Sequence, residues 1–190
     1  MSVINTQPLI GASGNQGVAS YNLTKSLRFR SSATAYLSRT QGTATNNKKF
    51  SLSFWVKRGS LGSARNIISA GVDGDNFFEM YFTASDQISI ENYTGVTYQL
   101  RSSIASKFRD PAAWYSIVLS VDTTQATNSN GVKLYVNNVQ QSITFDNYIQ
   151  NSNFFLNGAY AAYFSKALFN GTYLDGYLTE VNFIDGQALT

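Results

Sequence analysis

The sequence predicts an all-β protein: a two-sheet antiparallel β-sandwich of jelly-roll type, with an extended N-terminal arm. Three observations predict it. Apolar and polar residues alternate with a period of two in short runs from Phe50 to Ile184. Turns rich in Gly, Asn and Asp separate these runs. Beyond residue 24 no segment carries a helical period longer than about two turns. Roughly a dozen short strands are too many for one sheet to cover on both faces, so they divide between two packed sheets. A closed barrel is the alternative arrangement.

The arm comes first. Residues 1–24 hold Gly11, Gly14, Gly17, Pro8 and many Ser, Asn and Gln, with no apolar period. Such a segment buries too little apolar area to offset about 1–2 kcal/mol of backbone entropy per residue. It is expected to order against a neighbouring subunit or along its own domain, with Ile4, Leu9 and Ile10 as apolar anchors. Residues 25–190 form the sandwich. Leu27 to Arg30 alternates apolar and basic, and Tyr36-Leu37 follows a Ser-rich corner. Phe50 to Lys57 is the clearest strand: Phe50, Leu52, Phe54 and Val56 share one face, and Ser51, Ser53, Trp55 and Lys57 the other. Ile67-Ile68, Phe77 to Phe82, Ile88 to Ile90 and Tyr98 to Leu100 read as further strands. Tyr115, Ile117, Leu119 and Val121 alternate cleanly before the polar loop from Asp122 to Gly131. Lys133 to Val136 and Val139 to Gln141 make a hairpin, because Asn137-Asn138 tolerates the positive φ angles of a type I′ turn. The last strand is expected over Tyr173 to Ile184, with Tyr177, Thr179, Val181 and Phe183 on one face. Pro8 and Pro111 both fall outside the expected strands, as ladder hydrogen bonding requires.

Composition narrows the chemistry. The 190 residues contain no histidine and no cysteine, which excludes disulfides, thiolate metal sites and histidine-based triads. A net charge of +3 with only 13% charged residues is too dilute for a nucleic-acid footprint. No apolar stretch approaches the roughly 18 residues of a membrane span, and Met1 to Asn5 lacks the pattern of a signal peptide. No nucleic-acid or membrane partner is expected, and synthesis is expected in a cytoplasm. With 12 Tyr and 13 Phe, most rings belong to the core or to cross-strand pairs. Tyr93, Tyr98, Tyr160 and Tyr163 lie near loops and are the candidates to stack on sugar rings.

Several segments resemble a known family. Phe50-Ser51-Leu52-Ser53-Phe54-Trp55-Val56-Lys57, Trp114 to Asp122, Val132 to Asn137 and Leu174 to Phe183 follow in the order of a concanavalin A-like lectin/glucanase domain, laminin-G-like branch. The resemblance covers about Lys25 to Thr190. Ala35 to Thr40, Trp55 to Gly59 and Asp175 to Thr190 are similar to laminin-G-like proteins of tailed bacteriophages. That likeness implies a virion structural protein, of the tail fibre, head fibre or capsid decoration kind, that docks through its arm and displays a lectin-like sandwich for host-surface glycans. It implies other virion proteins as partners, a homo-oligomer such as a trimer, a host polysaccharide ligand, and synthesis in the host cytoplasm. A stand-alone carbohydrate-binding module is the alternative. Laminin-G-like domains often hold calcium at a rim with oxygen ligands, for which Asp73, Asp75 and Asn76 are the densest cluster and Asp122 with Asn128 and Asn130 a looser one. No other cofactor is expected. The Glu-x-Asp-x-x-Glu motif of glucanases on this fold is absent, so the chain is expected not to be an enzyme.

Overall fold

Strict alternation turns Phe50, Leu52, Phe54 and Val56 inward, and all four are buried in a core that two antiparallel sheets enclose. The computed structural model describes residues 24–189. Ile4, Leu9 and Ile10 lie outside the described residues, as does nearly all of the expected arm. The strands run β1 Leu27–Phe29, β2 Leu37–Thr40, β3 Lys49–Arg58, β4 Arg65–Asp73, β5 Asn76–Phe82, β6 Ile88–Thr94 and β7 Thr97–Ile104. They continue as β8 Tyr115–Asp122, β9 Val132–Val136, β10 Val139–Gln140, β11 Ile143–Tyr148, β12 Ala161–Phe164 and β13 Gly176–Asp185. One sheet has six strands in the order β1-β13-β3-β8-β9-β10, and the other has seven in the order β11-β7-β6-β5-β4-β12-β2.

The inner faces meet through large rings. Phe50 of the six-stranded sheet packs edge-on to Phe78 of the seven-stranded sheet at 6.4 Å, and Phe154 lies against both at 5.6 and 6.0 Å. Asn137 and Asn138 hold φ of 49° and 65° between β9 and β10, as a type I′ hairpin demands. The helical content of the polar loop is the single turn Asn128–Gly131.

Three expectations need correction. The last strand starts at Gly176 rather than Tyr173, which makes only an isolated bridge to Lys166. Its alternation also breaks. A register shift between Thr179 and Asn182, with Glu180 at φ 51°, turns Phe183 to the core side opposite Leu52, while Tyr177 and Thr179 pair outward with Lys57 and Trp55. A bulge inserts an extra residue and flips the face of everything after it. The third is the set of strands, which the structure extends with β11 and β12, segments to which the sequence pattern assigned no element.

At one end of the sandwich the sheets are tied by charge. Arg58, 1% exposed, reaches from β3 to Asp86 in the β5–β6 turn at 3.0 Å and donates to the Phe108 carbonyl at 2.7 Å. Its guanidinium lies 4.4 Å from the Phe82 ring centroid. Asp86 also accepts from the Gly62 N–H at 2.8 Å and from Arg109 at 3.0 Å. These donors, the Gly62 amide foremost, hold its pKa below the usual carboxylate value.

Candidate binding face on the seven-stranded sheet

The face of this sheet turned away from the core is built in rows. Pairing of β5 with β6 and of β6 with β7 sets Phe77 opposite Tyr93 and Tyr93 opposite Tyr98. The rings touch in succession, with centroids 4.8 Å apart for Tyr98 and Tyr93 and 5.7 Å for Tyr93 and Phe77. The connection between β12 and β13 adds a fourth ring: Phe169 lies 4.7 Å from Phe77, and its side chain packs beside Gly74. A strip of four aromatic rings therefore spans three strands at one rim. Phe77 is buried beneath it, Tyr93 and Tyr98 are half-buried, and Phe169 is 49% exposed.

Turns with polar tips border the strip. The β4–β5 turn meets the β6–β7 turn, where the Gly95 N–H donates to the Asp75 carbonyl. Val72 and Val96, 62% and 89% exposed, add apolar surface at these turns. Isolated exposed apolar residues are ordinary; here they stand in the two turns that border the tyrosine pair and the exposed Phe169.

The next row lies directly beneath. Tyr163, Ser69, Glu79, Glu91, Arg101 and Asn147 follow one another across six strands by register. Glu79 and Glu91, 4% and 7% exposed, are thus immediate cross-strand neighbours. Their environments differ. Glu91 accepts from the Tyr81 hydroxyl at 3.0 Å and pairs with Arg101 at 3.4 Å. Among the described residues, Glu79 accepts only the Leu168 N–H, at 3.3 Å. Burial, aided by the charge on Glu91, pushes the Glu79 carboxyl up to about 7, and burial pushes the Tyr81 hydroxyl up to about 12. A raised acid beside a second carboxylate is an arrangement that glycosidase pairs use. Here, however, both groups lie under their neighbours and pin structure. Glu79 holds the backbone of the segment that carries Phe169, and Glu91 holds Arg101, whose guanidinium sits 4.8 Å from the Tyr98 ring centroid.

Of the four tyrosines expected from sequence, the structure brings Tyr93 and Tyr98 together. Tyr163 shares the same sheet face but belongs to a separate group with Tyr36, at 6.0 Å, and Lys166, whose ammonium lies 4.8 Å from both rings. Tyr160 packs on Phe155 at 5.2 Å and is not part of the strip. Sequence reading missed Phe77, Phe169 and Arg101. Counting outward from the turn at 83–87 would have placed Phe77 opposite Tyr93 and Glu79 opposite Glu91; nothing local signals Phe169.

The acidic cluster lies in the rim turn. Asp73 Oδ1 accepts from the Asp75 N–H at 2.9 Å and from the Asn76 amide nitrogen at 3.1 Å. Asn76 thus presents its donor, not its oxygen, and two exposed carboxylates remain, short of the six to eight oxygens calcium takes. The looser candidate fits no better. Asp122 receives Thr124, Gln125 and, at 3.1 Å, Lys49, and Asn128 bonds the Ser129 N–H. Burial pushes Asp122 up, but these bonds outweigh it and bring the carboxyl down to about 2. Among the described residues no three acidic side chains gather as a metal site would need.

Two sheets of six and seven strands with this connectivity agree with the family comparison, in which residues 30–190 match the concanavalin A-like lectin/glucanases superfamily. The chain belongs to that superfamily. Solved structures of similar fold include the CBM40 of Ruminococcus gnavus IT-sialidase bound to α2,3 sialyllactose, at 13% identity and TM-score 0.59, covering 87% of this chain and 92% of that one. Mouse laminin alpha1 chain domains LG4-5 align at 10% identity and TM-score 0.63, over 92% of this chain and 45% of that one. Domain 4 of AbnA, a GH43 extracellular arabinanase from Geobacillus stearothermophilus in complex with arabinotriose, aligns at 14% identity and TM-score 0.57, over 82% and 77%. At such identities the concanavalin A-like likeness is one of fold. No curated protein sequence matches the chain.

Proposed function

We propose that this chain is a non-enzymatic glycan-adhesion protein of a bacteriophage virion, whose sandwich presents Tyr98, Tyr93 and Phe169, backed by the buried Phe77, to host-surface polysaccharide. The strip carries the reading. The apolar face of a pyranose or furanose lies flat on an aromatic ring, and the neighbouring Arg101, Asp75 and Thr94 supply hydrogen-bonding groups for its hydroxyls. Sialyllactose on the Ruminococcus module and arabinotriose on the arabinanase domain give the fold a precedent for oligosaccharide ligands.

The virion setting is supported by the resemblance of Ala35 to Thr40 and Asp175 to Thr190 to phage laminin-G-like proteins. In that setting the start of the arm, with Ile4 as its apolar anchor, attaches the sandwich to capsid, tail or fibre subunits, and the protein works as a homo-oligomer that multiplies weak sugar contacts. Titration of the protein against immobilised sialylated, arabinan and neutral hexose oligosaccharides tests the adhesion half. Binding lost in Tyr93→Ala and Tyr98→Ala but kept in Tyr135→Ala, on the other sheet, is the expected result; binding indifferent to Tyr93 and Tyr98 overturns it. Mass spectrometry of purified particles tests the virion half, and particles containing no peptide of this chain refute it.

A further inference from the structure

A second surface lies away from the strip. Along the edge where β1 and β13 face β2 and β12, the two sheets splay and leave a groove of about 370 Å³. Its walls are the inward-facing residues of both edges: Leu27, Phe29 and Leu178 from one sheet, Leu37 and Phe164 from the other. The β13 bulge adds Val181. Register makes Leu27 and Leu37 core-facing positions, for they stand opposite Leu178 and Phe164, yet they are 55% and 49% exposed, and Val181 is 38% exposed. Among the described residues nothing gives these core-facing aliphatic positions the covering that a sandwich edge normally receives. Lys25 and Ser26, where the described chain begins its first strand, line this same groove, and the Lys25 carbonyl is fixed there by the Thr179 hydroxyl at 2.6 Å.

We infer that this groove is the seat of the chain's own N-terminal segment, with Leu9 and Ile10 filling it. The occupant is indicated by connection and by chemistry. Residues 1–24 precede Lys25 directly, and Leu9-Ile10 is an adjacent apolar pair within an otherwise polar stretch. Fifteen residues from Ile10 to Lys25 reach about 50 Å when extended, far more than a groove bordered by a three-residue strand requires. A tether that short also holds the pair at an effective concentration on the order of millimolar, which favours it over a free partner. Seated there, the arm covers Leu27, Leu37 and Val181 and lies along the exposed edges of β1 and β2. The occupancy is independent of sugar binding, because no residue of the strip lines the groove.

The absence of cysteine makes a direct test available. Ile10→Cys is combined with Val181→Cys in the groove or with Val139→Cys on the distant edge strand β10, in the full-length chain under mild oxidation. The expected result is an intramolecular disulfide, seen as a monomer of altered mobility on a non-reducing gel, for position 181 and not for 139. A disulfide-linked dimer as the sole product overturns the inference, since the groove then takes the arm of a second copy. No cross-link, or equal cross-linking at 181 and 139, overturns it also. As a second readout, Ile10→Asp lowers the melting temperature by about 2–4 °C, and an unchanged melting temperature counts against the seat.

Discussion

Raising the pH from 4.5 to 8 destabilises this protein, and Glu79→Gln abolishes the effect. Glu79 sits under the aromatic strip, where its carboxyl gains one N–H from Leu168 and has Glu91 directly across the strand pair. The folded carboxyl titrates at about 7 against an ordinary 4.5. In the window between these values the native state binds the proton and the unfolded chain does not, so unfolding releases it and stability falls as pH rises. At about 1.36 kcal/mol per pH unit, the span from 4.5 to about 7 corresponds to a loss of about 3 kcal/mol, complete by about pH 8. That is a large fraction of the roughly 5–15 kcal/mol that stabilises a domain. The chain suits the measurement because it contains no histidine, the side chain that would otherwise titrate in this range. Among the groups around it, Glu91 is held by Arg101 and Tyr81, and Tyr81 titrates only at about 12. Urea unfolding followed by Trp55 and Trp114 fluorescence, repeated at half-unit steps from pH 4.5 to 8, gives the curve. The Gln variant keeps an oxygen for the Leu168 N–H and cannot ionise, so its stability should be flat over the window and exceed wild type at pH 8. Wild-type stability that rises with pH, or a slope that survives in the Gln variant, refutes the reasoning.

Other perturbations follow from the same contacts. Below pH 4 the slope reverses. Asp122, held at about 2, and Asp86 and Asp185, both lowered, contribute stability above their unfolded pKa values that is lost as they protonate; acid denaturation monitored by circular dichroism checks this, and Asp122→Asn should soften the transition. Asp86→Ala leaves the Arg58 guanidinium buried with the Phe108 carbonyl as its remaining hydrogen-bond acceptor and should cost about 3–5 kcal/mol in urea unfolding. Gly71→Ala places a Cβ against the Asn76 carbonyl at a backbone φ of +151°, so about 1–3 kcal/mol of strain falls beside Phe77, and both stability and glycan affinity should drop. Tyr93→Ala, which removes the ring between Tyr98 and Phe77, should weaken oligosaccharide binding at least about tenfold, equivalent to 1.4 kcal/mol, in calorimetric titration.

The sandwich was legible where burial is one-sided and the strand long. In β3 every second residue must enter the core, and Phe50, Leu52, Phe54 and Val56 do so without exception. In β11 a register irregularity between Phe145 and Asn147 spoils the alternation, and β12 begins Ala-Ala, residues with little preference for strands. In β13 the period is present but interrupted at Glu180, so the face assigned to Phe183 came out inverted. Tyr93 and Tyr98 were singled out only as rings near loops; their pairing comes from the tight turn between them, across which residues flanking a hairpin turn meet.

What local pattern cannot supply is the covering of one element by another distant in sequence. Phe169 joins the strip only because residues between Lys166 and Leu168 bond Ser69 and Glu79, nearly a hundred residues earlier. The Glu79 carboxyl is displaced from its ordinary pKa for the same reason: the sequence shows a lone glutamate between Phe78 and Met80, while the fold buries it and lays Glu91 beside it. The residue that anchors the exposed ring of the binding face is therefore also the one that makes the protein sensitive to neutral pH. Ionisation by itself strengthens the bond from the Leu168 N–H, but it sets a buried charge against Glu91. If the carboxylate turns outward to water to relieve that cost, Leu168 loses its acceptor, Phe169 loosens with it, and glycan affinity in wild type should weaken between pH 5.5 and 8 while that of Glu79→Gln stays constant. Affinity that is constant with pH in both proteins would separate the carboxyl from the strip and leave Glu79 a purely structural group.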